Sequence, residues 1–225
     1  MTFARFRTSR LYDLTMGVPL ILWFGGAAIR LRPALAMLGG ELLAGRASLH
    51  AGLLFIALFA SAAFNLLLVY LIAVRDLPVR KSRGLLPRLA GFVGTFLGVA
   101  ILYLPRPTIP LSWLIASDLF EIVGFVGAGF VLARLGRAFS IMPEARTLVT
   151  GGPYAHARHP LYALETLCVI GNAILFQQPW AALLAAAVIA LQVVRSLFEE
   201  QVLMDAYPEY AAYRARTKRF IPGVL

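Results

Sequence analysis

The chain of 225 residues is 60% hydrophobic and only 14% charged, with a mean hydropathy of +0.78. In soluble globular domains about a quarter of the residues are charged, so this composition indicates an integral membrane protein. The net charge of +10 does not indicate a nucleic-acid partner, because the basic residues flank apolar segments and attraction to anionic lipid headgroups explains them. A single cysteine excludes a disulfide framework, and three scattered histidines predict no metal site.

Six apolar segments are candidates for crossing the hydrocarbon core of a bilayer, which takes about 20 helical residues. They lie at residues 14–30, 49–74, 89–105, 113–134, 161–176 and 180–197. Only Gln177, Gln178 and Pro179 separate the last two segments, which predicts a tight helical hairpin. We therefore expect an all-α integral membrane protein with about six transmembrane helices.

The distribution of basic residues predicts the orientation in the membrane. If both termini are cytoplasmic, 17 of the 21 Lys and Arg residues, including Arg5, Arg7 and Arg10, lie on the cytoplasmic side and 4 on the other. Basic residues concentrate in short cytoplasmic loops, so this asymmetry supports six crossings and places residues 148–162 at the cytoplasmic face. The Ala-, Leu- and Arg-rich composition is typical of bacteria, and the inner membrane is the expected location.

We interpret residues 1–225 as one membrane domain without a repeat of fixed period. Residues 1–133 carry little chemistry beyond loop punctuation such as Arg32-Pro33, and are predicted to form a transmembrane scaffold. In residues 134–225, ionisable side chains recur at spacings that a plain membrane bundle does not need. We expect the function to reside in this second region.

The segment Leu148–Tyr162 is a polar interruption between two apolar stretches. Its Gly-Gly-Pro sequence at 151–153 predicts a turn, and Pro160 predicts a helix that begins near Leu161. The free amides and the positive dipole end at such a helix start suit an anionic or polar ligand group. A loop whose Arg and His side chains contact lipid phosphates is the alternative interpretation.

A second polar cluster lies at the end of the last predicted membrane helix. Gln192, Arg195, Ser196 and Glu199 share one helical face, because they are spaced by three and four residues, and Glu200 follows. A polar stripe in a membrane helix is costly unless it faces a cavity or partners. One interpretation is a self-contained ion pair between Arg195 and Glu199. The second acid favours another, since one arginine cannot neutralise both, and the surplus negative charge suits a cationic ligand.

The tail combines Tyr210 and Tyr213 with basic residues between positions 214 and 219, which predicts an amphipathic C-terminal helix. Such helices are commonly anchored at the headgroup level of a membrane. Alternatively, this helix folds back over the polar interruption, with the two tyrosines in the wall of a site. His50 and His156 have no partner pattern and are predicted to be structural or surface residues.

Three motifs in a fixed order carry a family resemblance. They read Leu148-Val-Thr-x-Gly-Pro-Tyr-x-x-x-Arg-His-Pro-x-Tyr162, then Glu199-Glu200-x-x-Leu203, then Tyr210-x-x-Tyr213 with a closing Ile221-Pro222. Together they resemble the isoprenylcysteine carboxyl methyltransferase family, part of a wider group of membrane methyltransferases that includes phospholipid N-methyltransferases. The resemblance covers about residues 134–222.

The resemblance implies that S-adenosylmethionine binds at the cytoplasmic end of the last helices, in a pocket capped by the C-terminal helix. It implies that a lipophilic small-molecule acceptor enters from the bilayer, that Glu199 and Glu200 answer the cationic amino end of the cofactor, and that Arg158 orients the acceptor. Membrane lipids are the other expected partners, and neither nucleic acid nor metal is expected. The implied cofactor-binding residues are Leu148, Gly152, Tyr154, His159, Tyr162, Glu199 and Glu200, and the implied catalytic residues are Arg158, Glu199 and Arg195.

One position departs from the family pattern, because Leu164 stands where many relatives have glycine. We expect the larger side chain to reshape the pocket beside the cofactor. The favoured acceptor is the carboxylate of an isoprenylcysteine-like compound, which is ionised at neutral pH and needs no general base. A phospholipid amine or small thiol would need deprotonation, for which Glu165, His159 or Glu199 is available.

The rival to an enzyme is a non-enzymatic membrane protein, namely a channel, a transporter or a lipid-binding scaffold. A transport path predicts polar residues at mid-depth in several spans. In this sequence the polar residues gather at one end of the last spans, which favours the enzyme.

Overall fold

The computed structural model describes residues 10–223, so Arg5 and Arg7 lie outside the described residues. Short 3-10 helices occupy Leu97–Tyr103, Gly136–Ala138 and Gly152–Ala155, and strand β1 (Arg80–Lys81) pairs antiparallel with β2 (Glu144–Ala145). The prediction of an almost entirely helical membrane protein is confirmed. Its α-helices are α1 (Arg10–Arg30), α2 (Arg32–Leu43), α3 (Leu49–Val74), α4 (Leu86–Phe96), α5 (Leu111–Leu135), α6 (Pro160–Phe176), α7 (Pro179–Ala206) and α8 (Tyr210–Arg216).

Within residues 10–223, five helical segments are long and apolar enough to cross a membrane, and α6 is a shorter apolar helix. Together they match the six predicted crossings. At one end of the bundle, Arg10 at the start of α1 donates to the carbonyls of Ala73 and Arg75 at the end of α3. At the same end, the β1–β2 pairing joins the connection between α3 and α4 to the connection between α5 and α6. We call this end the motif face and the opposite end the far face. Which of them is cytoplasmic stays a prediction. The five segments are 10–43, 49–74, 86–103, 111–138 and 179–206.

The first span does not end in a loop at Arg32-Pro33, and that prediction is wrong. Pro33 lies in the first turn of α2, where a residue needs no helical partner for its N–H group. The proline therefore separates α1 from α2 by a single residue, and the chain continues as a helix instead of entering a loop. The long segment then turns back into α3, whose Ser48 side chain caps the helix by accepting from Ala51 N.

The third span (Leu86–Tyr103) changes its helix type in the middle. Its first 11 residues form α4 and its last 7 form a 3-10 helix. An α-helix rises about 1.5 Å per residue and a 3-10 helix about 2.0 Å, so the two parts together cover about 30 Å. The stretched second part thus lets an otherwise short apolar segment reach across the hydrocarbon core.

The spans pack in an order that differs from their order in the chain. Helix α1 packs on α3, α3 on α5, α5 on α6 and α6 on α7, and the third span packs on α7 and α6. The approach of α5 to α6 is close because Gly124 has no side chain: a Cβ atom there would lie 2.4 Å from Cys168 Sγ. The row of spans curls round until α1 and the third span face each other across a cavity.

The predicted hairpin between the last two spans is confirmed. Helix α6 ends at Phe176 and α7 begins at Pro179. Gln177 closes α6 in the left-handed conformation, with φ of 43°. Helix α7 continues to Ala206, beyond the apolar window that ends at residue 197, because polar residues after that point end the hydropathy signal but favour helix as well as the preceding ones do.

Replacing Gln177 by glycine is expected to stabilise the hairpin by about 0.5–1 kcal/mol, because glycine adopts a positive φ without the steric cost that other residues incur. For a chain of this size, that gain raises the melting temperature by about 1–4 °C. Thermal unfolding in detergent measures it. The matched control is Gln178→Gly, since Gln178 has an extended φ of −120° and its amide donates to Pro105 O. A gain in the control as large as that at Gln177 contradicts the explanation.

Candidate active site

A cavity of about 480 Å³ lies inside the bundle, and its lining extends to residues at the motif face. Its polar end is lined by Tyr154, His159, Glu199 and Tyr213. Its deeper walls are formed mainly by apolar side chains of α1, the third span, α5, α6 and α7. Pockets that hold small ligands have volumes of about 300–1,000 Å³, so the cavity is large enough for a cofactor-sized molecule.

Backbone hydrogen bonds tie the polar interruption to the C-terminal tail. Arg158 N donates to Lys218 O and His159 N donates to Arg219 O, each over 2.8 Å. Helix α6 begins immediately afterwards at Pro160, one residue before the predicted start, because proline suits a first helical turn. The tail therefore holds the start of α6 and the side chains around it in place.

The predicted C-terminal helix is α8, and two of its tyrosines are buried in the wall of the cavity. The Tyr213 hydroxyl donates to Tyr154 O over 2.6 Å. Burial raises the pKa of Tyr213 to about 12, against the opposing effect of nearby arginines, so this phenol stays protonated at neutral pH. Helix α8 thus caps the polar end of the cavity.

Glu200 lies at the centre of a cluster of cationic side chains and is 3% exposed. Its Oε1 atom lies 3.0 Å from Arg158 Nε and 2.9 Å from Arg219 Nε, and its Oε2 atom lies 3.4 Å from Arg214 Nε. His159 Nε2 approaches Oε1 to 3.3 Å. The protein's own cations therefore neutralise Glu200, and the inference of a surplus negative charge on this residue is wrong.

Glu199 has different surroundings, although it is the next residue on α7. It accepts a hydrogen bond from the Tyr162 hydroxyl, and its Oε2 atom lies 3.7 Å from His159 Nδ1. Among the described residues, no lysine or arginine forms a salt bridge with it. Glu199 lines the cavity, whereas Glu200 does not. The surplus negative charge that the paired glutamates predict is therefore on Glu199.

Arg195 does not form the ion pair with Glu199 that one interpretation of the helical spacing predicted, so that interpretation is wrong for the described structure. Instead, Arg195 Nη1 donates to Gln192 Oε1 over 3.0 Å and Nη2 donates to Ile141 O over 3.3 Å. Its guanidinium lies 4.7 Å from the centre of the Tyr162 ring, within cation–π range. Arg195 lines the cavity and connects α7 to the segment after α5.

Glu165 extends the polar wall one helical turn deeper than Tyr162. Its Oε2 atom accepts from Gln192 Nε2 over 2.7 Å. No hydrogen bond to its Oε1 atom forms within residues 10–223, and the side chain lines the cavity. A carboxylate is therefore available to a ligand at this depth.

Arg158 lines the cavity, but its hydrogen bonds point towards the cap. Besides Glu200, it donates through Nη1 to the carbonyls of Arg214 and Thr217 at the end of α8. Arg158 thus anchors the capping helix, and its predicted part in orienting an acceptor stays a prediction. All the other predicted site residues line the cavity except Glu200 and Gly152.

Gly152 is exposed at the start of a 3-10 helix, outside the wall of the cavity. Its φ of 61° is the left-handed conformation that favours glycine, so the turn itself explains this residue. Leu164 also lies outside the wall, which contradicts the expectation that it reshapes the pocket. Its side chain packs where Gly127 of α5 leaves room: a Cβ atom on that glycine would lie 2.7 Å from Leu164 Cδ2.

Sequence reasoning missed a buried charge network at the motif face. Arg75 Nε donates to Asp13 over 2.7 Å, and Arg146 Nη2 lies 3.0 Å from Asp13 and 2.8 Å from Glu144. Arg146 and Glu144 also line the cavity. No spacing rule connects Asp13, Arg75 and Arg146, because these three residues are far apart in the chain. The same holds for His50, which pairs with Asp118 over 3.3 Å towards the far face.

Residues of α1 and of the third span line the cavity together, and we call the boundary between these two segments the seam. These two segments do not pack along their lengths. Aromatic side chains bridge them: the Phe96 ring lies 5.3 Å from the Trp23 ring and 6.3 Å from the Phe24 ring. A smaller opening of about 250 Å³, lined by Trp23, Arg30 and the 3-10 part of the third span, continues along the same seam.

Comparison with known proteins identifies the part of the chain that carries this polar end. Residues 113–210 match the phospholipid methyltransferase family. That family is part of the wider group of membrane methyltransferases, so the resemblance to this group is confirmed, while the isoprenylcysteine-specific family is not. The matched range includes Arg158, His159, Glu199 and Glu200, and the match supports a membrane methyltransferase.

Two curated relatives are each similar to about half of this chain. The cobalt-zinc-cadmium resistance protein CzcN of Cupriavidus metallidurans is 34% identical over 113 residues, which are 47% of this chain and 50% of the relative. The nickel-cobalt-cadmium resistance protein NccN of Alcaligenes xylosoxydans xylosoxydans is 31% identical over 118 residues, 49% of this chain and 53% of the relative. The chain thus spans about half the length of the curated relatives it matches.

Proposed function

We propose that the protein is a membrane methyltransferase that uses S-adenosylmethionine and transfers a methyl group to a lipophilic acceptor. The observation that carries the proposal is Glu199, a carboxylate that lines the cavity without a lysine or arginine partner among the described residues. An unneutralised acid beside a low-dielectric cavity is costly unless a cationic ligand meets it. Its position within the range that matches the methyltransferase family supports the same ligand.

The side chains of the polar end fit the chemistry of this cofactor. S-adenosylmethionine carries an ammonium group and a positively charged sulfur, and when bound it supplies an activated methyl group. Glu199 would accept from the ammonium group, and the aromatic rings of Tyr154, Tyr162 and Tyr213 would surround the remaining cationic part. The cap formed by α8 would exclude water from the polar end.

The apolar walls support a lipophilic acceptor that arrives from the bilayer through the seam. The carboxylate of an isoprenylcysteine-like compound is the first candidate, since an ionised oxygen needs no base and only placement in line with the methyl group. A phospholipid amine is the second, and Glu165 favours it, because a carboxylate with a free oxygen lines the cavity and would take the amine proton. A small thiol would need the same proton acceptor.

A transport path through the bundle has less support. Towards the far face, Ile101, Phe176, Ala181 and Ala185 form a buried apolar cluster, and Ile101 also lines the cavity. Apart from Arg30, the charged side chains that line the cavity lie in its half nearer the motif face, and this one-sided distribution suits a reaction site better than a channel.

The direct test is isothermal titration of the detergent-solubilised protein with S-adenosylhomocysteine, the demethylated product of the cofactor. We expect saturable binding. Absence of binding by a chain whose thermal unfolding remains cooperative contradicts the proposed function. Incubation with a labelled methyl donor, extracted lipids and a prenylcysteine analogue then identifies the acceptor class.

The path of the acceptor is tested by filling the apolar part of the cavity. Gly98 lines it, and a Cβ atom there would lie 3.8 Å from Val188 Cγ2, so only a side chain longer than alanine intrudes. Gly98→Leu is expected to raise KM for a long-chain acceptor about tenfold and to leave the affinity for S-adenosylhomocysteine unchanged. Gly129→Leu is the control, because a Cβ atom at Gly129 meets nothing within 4 Å. Equal KM values for the two variants contradict the assigned path.

A further inference from the structure

Tyr210 carries a hydroxyl group whose hydrogen bond is missing. The residue begins α8, and only 1% of its surface is exposed. In the part of the chain that the structure describes, its Oη atom is buried without a hydrogen-bond partner. Buried polar atoms are nearly always paired in native proteins, because leaving one unpaired is costly. Tyr210 lines the cavity, so a ligand in the cavity is the natural source of the partner.

Two other buried unpaired atoms near the cavity are weaker evidence for a ligand. The Nε atoms of Arg146 and Arg195 are also unpaired, but both guanidinium groups donate through their other nitrogens. A phenol has one polar atom, so nothing else satisfies Tyr210. The rings of Tyr210 and Tyr213 are in edge contact, with their centres 5.6 Å apart. This packing fixes the position of the Tyr210 hydroxyl.

The surroundings define what Tyr210 offers. Burial raises the pKa of the Tyr210 phenol, and the charges of Glu200 and Glu199 add to this effect while Arg158 opposes it. The group therefore stays protonated at neutral pH and is available as a donor. Glu199 lines the same cavity as Tyr210 and offers an acceptor that no lysine or arginine of the described residues pairs with.

We infer that Tyr210 and Glu199 together recognise an α-amino-acid group, with the Tyr210 hydroxyl donating to its carboxylate and Glu199 accepting from its ammonium. An α-amino acid places an anion and a cation on one carbon atom, so its receptor needs a donor and an acceptor side by side. The inference rests on the proposed function and deepens it, because the methionyl end of the cofactor is such a group. Tyr210 is then a binding residue contributed by the capping helix.

The test compares two ligands that differ by this group. S-adenosylhomocysteine contains the amino-acid end, and 5′-methylthioadenosine is the corresponding nucleoside thioether without it. In isothermal titration, Tyr210→Phe is expected to weaken S-adenosylhomocysteine about tenfold or more, since hydrogen bonds to a charged group are the stronger kind. The affinity for methylthioadenosine should equal that of the wild type.

Thermal unfolding separates this role from a structural one. Tyr210→Phe removes a hydroxyl that bonds to nothing among residues 10–223, so the melting temperature should not fall. Tyr213→Phe is the contrasting variant, because it removes the bond to Tyr154 O and should lower the melting temperature. Equal loss for both ligands, or unchanged binding of S-adenosylhomocysteine, overturns the inference alone. Failure of the wild type to bind either ligand overturns the proposed function with it.

Discussion

Replacing Glu199 by glutamine is expected to lower the affinity for S-adenosylhomocysteine by about a hundredfold while the melting temperature stays unchanged. The change removes the one negative charge of the paired glutamates that the protein does not neutralise itself. Glutamine has nearly the same shape, and its carbonyl oxygen still accepts from the Tyr162 hydroxyl. Isothermal titration and thermal unfolding of the same detergent preparation measure the two quantities.

The control for this substitution lies on the same helix. Asp205 is exposed near the end of α7, and Asp205→Asn removes the same charge from the same face of the membrane. Its affinity for the ligand should equal that of the wild type. Wild-type affinity in Glu199→Gln removes this residue from the cofactor site. If Glu199→Gln binds more weakly but also melts at a clearly lower temperature than the wild type, the role of Glu199 is structural.

The sequence predicted the membrane spans well because hydropathy is a local property of the chain. The window 161–176 differs by one residue from α6, and the window 49–74 coincides with α3. The errors arose where a local signal has two structural meanings. A proline occurs both in loops and in the first turn of a helix, and Pro33 lies in the first turn of α2.

The division of roles between Glu199 and Glu200 could not be predicted. Consecutive helical residues point about 100° apart, and which of them faces a cavity depends on how α7 packs against α6 and the tail. The cations that surround Glu200 come mainly from Arg158, Arg214 and Arg219, which no periodicity relates to it. The motif therefore identified the pair, and only the tertiary structure separated the acid that lines the cavity from the acid that the tail's cations surround.

The first half of the chain contributes more than the predicted scaffold. The family match covers residues 113–210, which supply most of the polar end of the cavity, although Tyr213 lies just after this range. The seam and much of the apolar wall come from α1 and the third span, which lie before that range. Under the proposed function, the part of the chain that resembles the family holds the cofactor, and the part before it selects the acceptor. Relatives that share the second region then need not share an acceptor.

Replacing Glu200 by alanine is expected to destabilise the chain by about 3 kcal/mol, because it leaves Arg158 and its neighbours without their acid in a largely buried site. The 50% exposure of the Arg214 side chain places this value at the low end for buried ion pairs, since water screens part of the charge. In thermal unfolding the loss corresponds to a fall of about 6–12 °C. Glu209→Gln, an exposed acid at the start of α8, should leave the melting temperature unchanged.

The same substitution should release the cap before it unfolds the bundle. Glu200 joins the start of α6 to the tail through Arg158 and Arg219, so its loss weakens the attachment of α8 more than the contacts among the spans. Limited trypsin digestion is therefore expected to cut the basic stretch at 214–219 faster in Glu200→Ala than in the wild type. Arg219→Ala should accelerate cleavage too, and the double variant should lose less stability than the two single losses added together, because both remove the same contact. Additive losses, or an equally protected tail, contradict the role of Glu200 as the residue that holds the cap over the cavity.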